Sequence, residues 1–389
     1  MRSKIWLLTF LLLAIALNPA GAQVERIWLT HKSHDPSRLV VNWETARPGN
    51  SIVSYGTTPQ LGRTVTKDEN VTLHHVEIDL AEKDGIYHYR VESGPQNNPQ
   101  ISKIATFKGY PTQELRIAIV GDWGYARPDL TGLKQDNVHL LLTAGDNVPN
   151  LYQFGAVGEM NSTKAFSTLI DSAPELFAST PFMPVLGNHD REIRPRGPKP
   201  PAEPVYDIEA TAYRKFFALP DEGWKWHFDV PDFNLSLIAL DLNHISDLGT
   251  TWQTCHAFGA DSEQFTWYRD LMTKTQASFV VTLQNERNAT MRSQVGGAWG
   301  QWFEKGSAVV TGFGYFAERA EVNGFPYFNT SLKGDGDRYP DSKSAFLASE
   351  HSYLLLTLKR GETRMIAELK NLQGMVLDRR EILARAFEK

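Results

Sequence analysis

Between about Val24 and Gly109, apolar and polar residues alternate over short runs that are separated by turn-forming residues. The segments RLVVNWET, NSIVSYGT and YHYRVES show this alternation most clearly. A period of two residues places alternate side chains on opposite faces of a β-strand, so that one face packs and the other meets water. Several such strands at short intervals predict a β-sandwich of about 90 residues.

After Pro111 the pattern changes to continuous apolar runs that end in short polar residues, such as RIAIVGDWG, VHLLLTAGDN, FMPVLGNHD and SFVVTLQNE. Continuous apolar runs are typical of strands that are covered on both faces. In sheets of that kind, ligands bind beyond the carboxyl ends of the strands. Because segments with helical spacing lie between the runs, the pattern predicts an α/β domain whose site lies where the strands end.

The first 22 residues have the pattern of a signal peptide. Arg2 and Lys4 precede an apolar stretch from Ile5 to Leu17, and Ala20-Gly21-Ala22 forms a small-x-small cleavage site. The apolar stretch is shorter than the about 20 residues that span a bilayer. We therefore expect a periplasmic or secreted protein that has no membrane association after cleavage.

The amino-acid composition excludes some classes of function and some kinds of site. The chain has 389 residues, a formal net charge of −5, 41% hydrophobic residues and 22% charged residues, which are values of a globular protein. A mildly acidic chain without clusters of Lys and Arg is not expected to bind nucleic acid. Eleven histidines permit a metal site, but the single cysteine, Cys255, excludes an internal disulfide and a cysteine-based zinc site.

Taken in order, the strand-end motifs resemble those of the purple acid phosphatases in the calcineurin-like metallophosphoesterase superfamily. The segment before them, with VSYGTTPQLG and YHYRVESG, is similar to the N-terminal domain of that family. The resemblance implies a fibronectin type III-like β-sandwich over residues 23–110. It further implies an α/β metallophosphoesterase-like β-sandwich, flanked by helices, over residues 111–389.

Members of this family use the motifs DxG, GDxxY, GNH, VxxH and GHxH to supply seven ligands to two metal ions, which bind a phosphate ester and activate water. By resemblance, Asp122 of DWG is the first carboxylate ligand and Asp146 of GDN bridges both ions. Asn188 of GNHD stands at the amide ligand, and His189 at the histidine beside the phosphate.

The other four ligand positions differ from the family pattern. Pro149 replaces the tyrosine of GDxxY, and Gln284 replaces the histidine of VxxH, although a shift of one residue offers Asn285 instead. In the segment that aligns with GHxH, Phe313 and Tyr315 stand where the family has histidines. Two ions need a dense set of anionic and imidazole donors to offset their mutual repulsion. We therefore expect no cofactor, or at most one weakly bound divalent metal on Asp122, Asp146 and Asn188.

The remaining polar groups suggest chemistry without metals. His189 and Tyr315, together with Asn188, are the candidate catalytic residues, because histidine titrates near neutrality and a phenol beside a cation exchanges protons. The candidate substrate-binding residues share an amide or guanidinium group that pairs with carboxylate or sulfate: Gln284, Arg287, Arg319, Arg191 and Arg194. A solvated loop is the commoner explanation for the arginines near GNHD, and the alternative for the two aspartates is that they cap loops at strand ends.

Three functions follow, with an anionic small molecule or an acidic polysaccharide as the expected partner. The first is metal-independent β-elimination by a polysaccharide lyase acting on uronic-acid glycans. The second is an active metal-dependent acid phosphatase with an atypical site, and the third is a non-catalytic protein that binds glycans or anions. Four tryptophans in loop-like or amphipathic segments are candidates for stacking on a sugar: Trp224, Trp226, Trp299 and Trp302.

Overall fold

The computed structural model describes residues 24–125, 129–151, 162–192 and 202–386. The expected signal peptide and Arg194 lie outside these residues. Within them, none of the helices has the length and apolar character needed to cross a membrane.

The N-terminal region forms one antiparallel sheet in which the strands are hydrogen-bonded in the order β1-β2-β4-β5, with β3 paired to β2 and β6 to β4. In β4, alternate residues are buried, as the sequence pattern predicts, and Tyr87, Tyr89 and Val91 enter the local core. This confirms a sheet-rich region, and the fibronectin type III topology stays a prediction. The strands are β1 Val24–Thr30, β2 Arg38–Gly56, β3 Arg63–Asp79, β4 Ile86–Ser93, β5 Gln100–Ile101 and β6 Ala105–Lys108.

Two further sheets build the second region. The first has the order β19-β18-β17-β7-β8-β9, and its strands β7, β8 and β9 are parallel. Its strands are β7 Glu114–Val120, β8 Leu140–Thr143, β9 Phe182–Met183, β17 Ser352–Lys359, β18 Arg364–Asn371 and β19 Val376–Leu383. Strands β17, β18 and β19 form an antiparallel meander.

The second of these sheets has the order β10-β11-β12-β13-β15-β14-β16, with β11, β12, β13 and β15 parallel. Its strands are β10 Trp226–Val230, β11 Leu235–Ala239, β12 Phe279–Gln284, β13 Ala308–Thr311, β14 Ala317–Val322, β15 Phe325–Asn329 and β16 Ser344–Ala348. The helices are α1 Thr131–Gln135, α2 Lys164–Ser172, α3 Pro174–Ser179, α4 Thr211–Phe216, α5 Glu263–Lys274, α6 Asn288–Ser293 and α7 Ala298–Phe303.

Strand β11 shows why these sequences are apolar throughout. Leu235 and Leu237 belong to the large core that also contains β7, β8 and β17 residues, so the two sheets pack face to face. Ile238, on the opposite face, packs in a second core with residues of α5 and α7. Strands covered on both faces leave only their ends for polar chemistry.

His31 lies where the N-terminal region meets the second region. It has no exposed surface, its Nδ1 lies 2.5 Å from the carbonyl oxygen of Arg38, and its Nε2 lies 3.2 Å from the Tyr110 hydroxyl. Its ring packs 4.7 Å from that of Phe228 in β10. Because the carbonyl only accepts, Nδ1 carries the proton, and the neutral ring uses both nitrogens inside the protein.

His31 is expected to make the fold sensitive to acid. Burial lowers the pKa of His31 to about 4, against about 6.5 in an unfolded chain. The neutral ring therefore contributes stability that is fully present above pH 6.5 and is lost as the pH falls toward 4. We expect His31→Gln to lose about 2 kcal/mol less unfolding free energy between pH 7 and pH 5 than the natural chain. Urea titrations at both pH values measure this difference, and equal losses would contradict the assignment.

Candidate functional site

Three polar residues follow three parallel neighbouring strands. Asp122 comes after β7, Asp146 after β8, and Asn188 after β9, at the start of a short 3-10 turn. Parallel strands end at one edge of a sheet, so these loops meet there. Both aspartates adopt a left-handed backbone conformation, with φ of 54° and 53°, which aspartate tolerates better than most residues. The sequence prediction that the strand ends form one site agrees with this arrangement.

The loops of Asp146 and Asn188 are in close contact. The backbone N–H of His189 donates to Asp146 Oδ1 at 3.3 Å. Gly187 lies against the same carboxylate, since a Cβ at Gly187 would lie 2.2 Å from Asp146 Oδ1. Asp146 is therefore held by the neighbouring loop, and only a glycine leaves room for it.

Gly187→Ala is expected to displace Asp146. The backbone at Gly187, with φ of −108°, accepts alanine, so the added methyl group acts through its clash with Asp146, whose backbone nitrogen and Oδ1 both lie 2.2 Å from the Cβ position. We expect a loss of about 1–3 kcal/mol of unfolding free energy, together with weaker ligand binding at the site. Gly85→Ala is the matched control, because the nearest atom to its Cβ position is 3.9 Å away. Equal urea midpoints for the two variants would contradict the packing described here.

Burial and mutual repulsion determine the pKa values of the carboxyl groups at this edge of the sheet. Burial, followed by the charge of Asp146, raises the pKa of Asp122 well above its ordinary value, and a hydrogen bond with Ser331 and the charge of Lys333 oppose this. Asp122 Oδ2 is buried and has no hydrogen-bond partner among the described residues. Burial and Asp146 also raise the pKa of Asp190 to about 8, although Asp190 accepts hydrogen bonds from the backbone of Gly187.

His189 is held by the residue that replaces the family's tyrosine. Its Nδ1 lies 2.6 Å from the carbonyl oxygen of Pro149. A carbonyl can only accept, so Nδ1 carries the proton and the ring orientation is fixed. The Pro149 loop thus fixes the position of His189.

Tyr315 and Lys333 form a second pair at this edge. The Lys333 Nζ lies 4.2 Å from the ring centroid of Tyr315, and the Tyr315 N–H donates to the carbonyl of Asp337 at 2.9 Å. A Cβ at Gly336 would lie 2.4 Å from the Tyr315 ring, so the ring rests on that glycine. Lys333 is the residue that the sequence analysis missed, although SLKGDGD directly follows a strand end in the same way as the motifs that were singled out.

We call the group of Asp122, Asp146, Asn188, His189, Tyr315 and Lys333 the Asp122 site. The two carboxylates lie nearly buried at its base, and the other four side chains are partly exposed. It therefore offers a solute one amide, one imidazole, one phenol and one ammonium group above two acids.

Two predicted substrate-binding residues do not have that role. Arg191 has no exposed surface, and its Nη2 donates to Asp241 Oδ2 at 2.5 Å. A buried guanidinium that is paired inside the protein cannot bind a solute, so the prediction for Arg191 is wrong. Gln284 is also fully buried, and its Nε2 donates to the carbonyl of Glu286 at 2.8 Å and to Asn288. Gln284 therefore stabilises the turn after β12.

Arg319 and Arg287 are held by other parts of the chain. Arg319 forms ion pairs with Asp378 and Glu321, so its charge is balanced by acids of this protein. Arg287 donates to the carbonyl of Pro340 at 2.8 Å. None of these contacts joins either arginine to the Asp122 site.

Asn285 and Phe313 lie in two loops where the family resemblance implies histidine ligands. Asn285 Nδ2 donates to the carbonyl of Ala144 at 2.8 Å, so Asn285 contacts the loop that carries Asp146. The hydrogen bonds of Gln284, by contrast, are to Glu286 and Asn288. The ring of Phe313 packs 5.4 Å from that of Tyr339. These two loops therefore present an amide that is hydrogen-bonded to a backbone carbonyl and an aromatic ring.

The tryptophans predicted for sugar stacking are mostly core residues. Trp226 and Trp299 have no exposed surface, and Trp224 is 5% exposed and stacks on His256. Those three predictions are wrong, because Trp226 lies in β10 and Trp299 in α7, and the side chains of all three pack in the two cores. Trp302 is partly exposed and lies below Lys305 Nζ, which is 3.6 Å from its ring centroid.

Comparison with known proteins agrees with this fold. Residues 115–301 match the family model described as calcineurin-like phosphoesterase. No curated protein matches the chain in sequence. A purple acid phosphatase, PPD1, from yellow lupin (Lupinus luteus) seeds is similar in structure, with a TM-score of 0.67, 15% identity, and coverage of 93% of this chain and 74% of that chain.

GAP50, the anchor in the inner membrane complex of Plasmodium, is less similar, with a TM-score of 0.43, 12% identity, and coverage of 70% of this chain and 90% of that chain. The domain match is confined to residues 115–301, and the similarity to the lupin structure extends over 93% of this chain. Residues 115–301 therefore match a calcineurin-like phosphoesterase domain, and the chain has the fold of a purple acid phosphatase.

Proposed function

We propose that the Asp122 site binds an anionic ligand and transfers protons without a two-metal centre. The proposal rests on three features of the site. The residues at its base are poor in metal donors, a lysine supplies its positive charge, and His189 and Tyr315 supply groups that exchange protons.

The donor set does not fit two metal ions. Ions about 3.5–4 Å apart require many anionic or imidazole ligands. Within the described residues, Asp122 and Asp146 are not joined by a third His, Cys, Asp or Glu whose donor atom lies within 4.8 Å of theirs. Phe313 supplies no donor, and the amide of Asn285 is bonded to the backbone. The buried Oδ2 of Asp122, which has no hydrogen-bond partner among the described residues, is a donor that suits at most one hard cation with oxygen ligands.

The observation that supports an anionic ligand most directly is the position of Lys333. Its ammonium group lies over the Tyr315 ring and acts electrostatically on Asp122. An ammonium group attracts carboxylate, sulfate and phosphate as a point charge. The aromatic face below it restrains the lysine without neutralising its charge.

His189 and Tyr315 make β-elimination from a uronic-acid glycan the candidate reaction. One group removes the proton beside the carboxylate, the C–O bond to the next sugar breaks, and the departing oxygen takes a proton from the other group. Lys333 and Asn188 would hold the carboxylate. Three of the residues that the sequence predicts to bind this carboxylate are engaged elsewhere. Arg191 and Gln284 are buried and bonded inside the protein, and Arg319 is ion-paired with acids.

The test presents polygalacturonate and an aryl phosphate to the protein in the presence of a chelator. We expect binding of polygalacturonate, and for a lyase the absorbance of unsaturated uronate, which His189→Ala and Tyr315→Phe each remove. Binding without product identifies a non-catalytic glycan-binding protein. Hydrolysis of the aryl phosphate that requires added metal would contradict the proposal and favour the phosphatase.

A further inference from the structure

A second cluster of metal-ligating side chains lies away from the Asp122 site. His34 is in the loop between β1 and β2, His227 is in β10, and Asp221 lies in the loop before β10. One donor atom from each lies within 4.8 Å of the other two. We infer that these three residues bind one divalent transition-metal ion of the zinc class.

The distances suit such an ion. Asp221 Oδ2 lies 2.9 Å from His227 Nδ1, and Asp221 Oδ1 lies 3.7 Å from His34 Nε2. A tetrahedral ion with bonds of about 2.1 Å holds its donor atoms roughly 3.4 Å apart. The two observed separations fall on either side of that value, so small side-chain rotations close the site.

Further hydrogen bonds already orient the three proposed ligand side chains. His34 Nδ1 lies 3.2 Å from the carbonyl of His227, which fixes the proton on Nδ1 and leaves the lone pair of Nε2 toward Asp221. Metal-bound histidines are commonly held in this way by a backbone carbonyl. The backbone N–H of His227 also donates to Asp221 Oδ2 at 2.9 Å. The two imidazole rings are stacked with centroids 4.0 Å apart, which keeps both beside one carboxylate.

The site is accessible, and it joins two parts of the chain. The side chains of His34, Asp221 and His227 are 47%, 18% and 20% exposed, so an ion can enter from solvent and keep a water as its fourth ligand. His34 belongs to the N-terminal sheet region and the other two belong to the phosphoesterase domain. Two imidazoles with one carboxylate are a donor set that suits zinc, nickel and copper. Binding of the ion therefore fastens the two regions together.

The test is calorimetric titration of the untagged mature chain with zinc sulfate at pH 7.5. We expect one equivalent of zinc to bind and to raise the Tm. His34→Gln and His227→Gln should each weaken binding by at least about tenfold, since even the loss of an outer contact costs that much in metal sites. His244→Asn is the matched control, because His244 is exposed and asparagine tolerates its φ of 43°.

Asp146→Asn separates this site from the Asp122 site. Undiminished zinc binding by Asp146→Asn, with loss in His34→Gln, supports the inference. Equal zinc binding by the natural chain and His34→Gln, or loss of zinc only in Asp146→Asn, would overturn it. Circular dichroism of His34→Gln and His227→Gln checks that both variants are folded, so that a loss of binding reports on the ligands.

Discussion

Lys333→Met is expected to weaken the binding of anions at the Asp122 site. Methionine keeps the length and the contact with the Tyr315 ring but removes the charge that lies 4.2 Å above it. The two carboxylates at the base of the site would then face an anion without an opposing cation. We expect the affinity for polygalacturonate to fall by at least about tenfold, corresponding to about 1.4 kcal/mol for one charge-assisted contact.

Lys305→Met is the control for this experiment. Lys305 Nζ lies 3.6 Å from the centroid of the Trp302 ring, so the change removes the same kind of cation from a similar aromatic face elsewhere in the chain. We expect Lys305→Met to leave binding unchanged and Lys333→Arg to retain part of it. Unchanged binding by Lys333→Met would show that Lys333 does not supply the positive charge of the site.

Arg191→Met is expected to destabilise the fold rather than to weaken ligand binding directly. Arg191 and Asp241 have no exposed surface and are joined at 2.5 Å. Asp241 also accepts from His256, whose Nδ1 lies 2.7 Å away. Arg191→Met leaves the buried Asp241 carboxylate without its guanidinium partner, and losses of about 3–5 kcal/mol are typical of breaking a buried ion pair in this way. Urea unfolding at pH 7 measures it.

Two variants make the stability result specific. Arg269→Met removes an arginine from an exposed pair with Asp270, in which the side chains are 42% and 47% exposed, and we expect a loss of at most about 1 kcal/mol. The double variant Arg191→Met/Asp241→Leu removes both charges and should recover part of the stability that the single change loses. If Arg191→Met were as stable as the natural chain but bound polygalacturonate poorly, the original substrate-binding assignment would be restored.

The fold was predictable because its signals are local. Continuous apolar runs, such as those of β7 and β8, must be covered on both faces, and parallel strands must end at a common edge. Asp122, Asp146 and Asn188 therefore came together as expected from their places after these runs. Helices α2 and α5 likewise lie in the segments whose spacing indicated them.

The direction of single side chains was not predictable in the same way. Arg191 follows the site directly in sequence, yet its side chain points into the interior, where Asp241 comes from a segment 50 residues away. Lys333 lies in none of the family motifs, and its role depends on the ring of Tyr315 from another loop. Such pairings depend on tertiary packing, which the periodicity of a sequence does not encode.

The zinc-class cluster illustrates the same limit for metal sites. His34 stands nearly 200 positions before Asp221 and His227, so no spacing rule connects them. Their approach depends on the contact between the N-terminal sheet and β10, where the backbone N–H of Asp229 donates to the carbonyl of His34 at 2.7 Å. Histidines that appeared irrelevant to the family motifs are thus the better metal ligands of the described chain.

The metal content of the purified Asp146→Asn variant, compared with that of the natural chain, tests directly whether the Asp122 site works without a two-metal centre. We expect both proteins to contain the same metal, at most one ion per chain, and that ion to be absent from His34→Gln. Two ions per chain in the natural protein, both lost in Asp146→Asn, would contradict a metal-independent site and identify a working two-metal phosphoesterase.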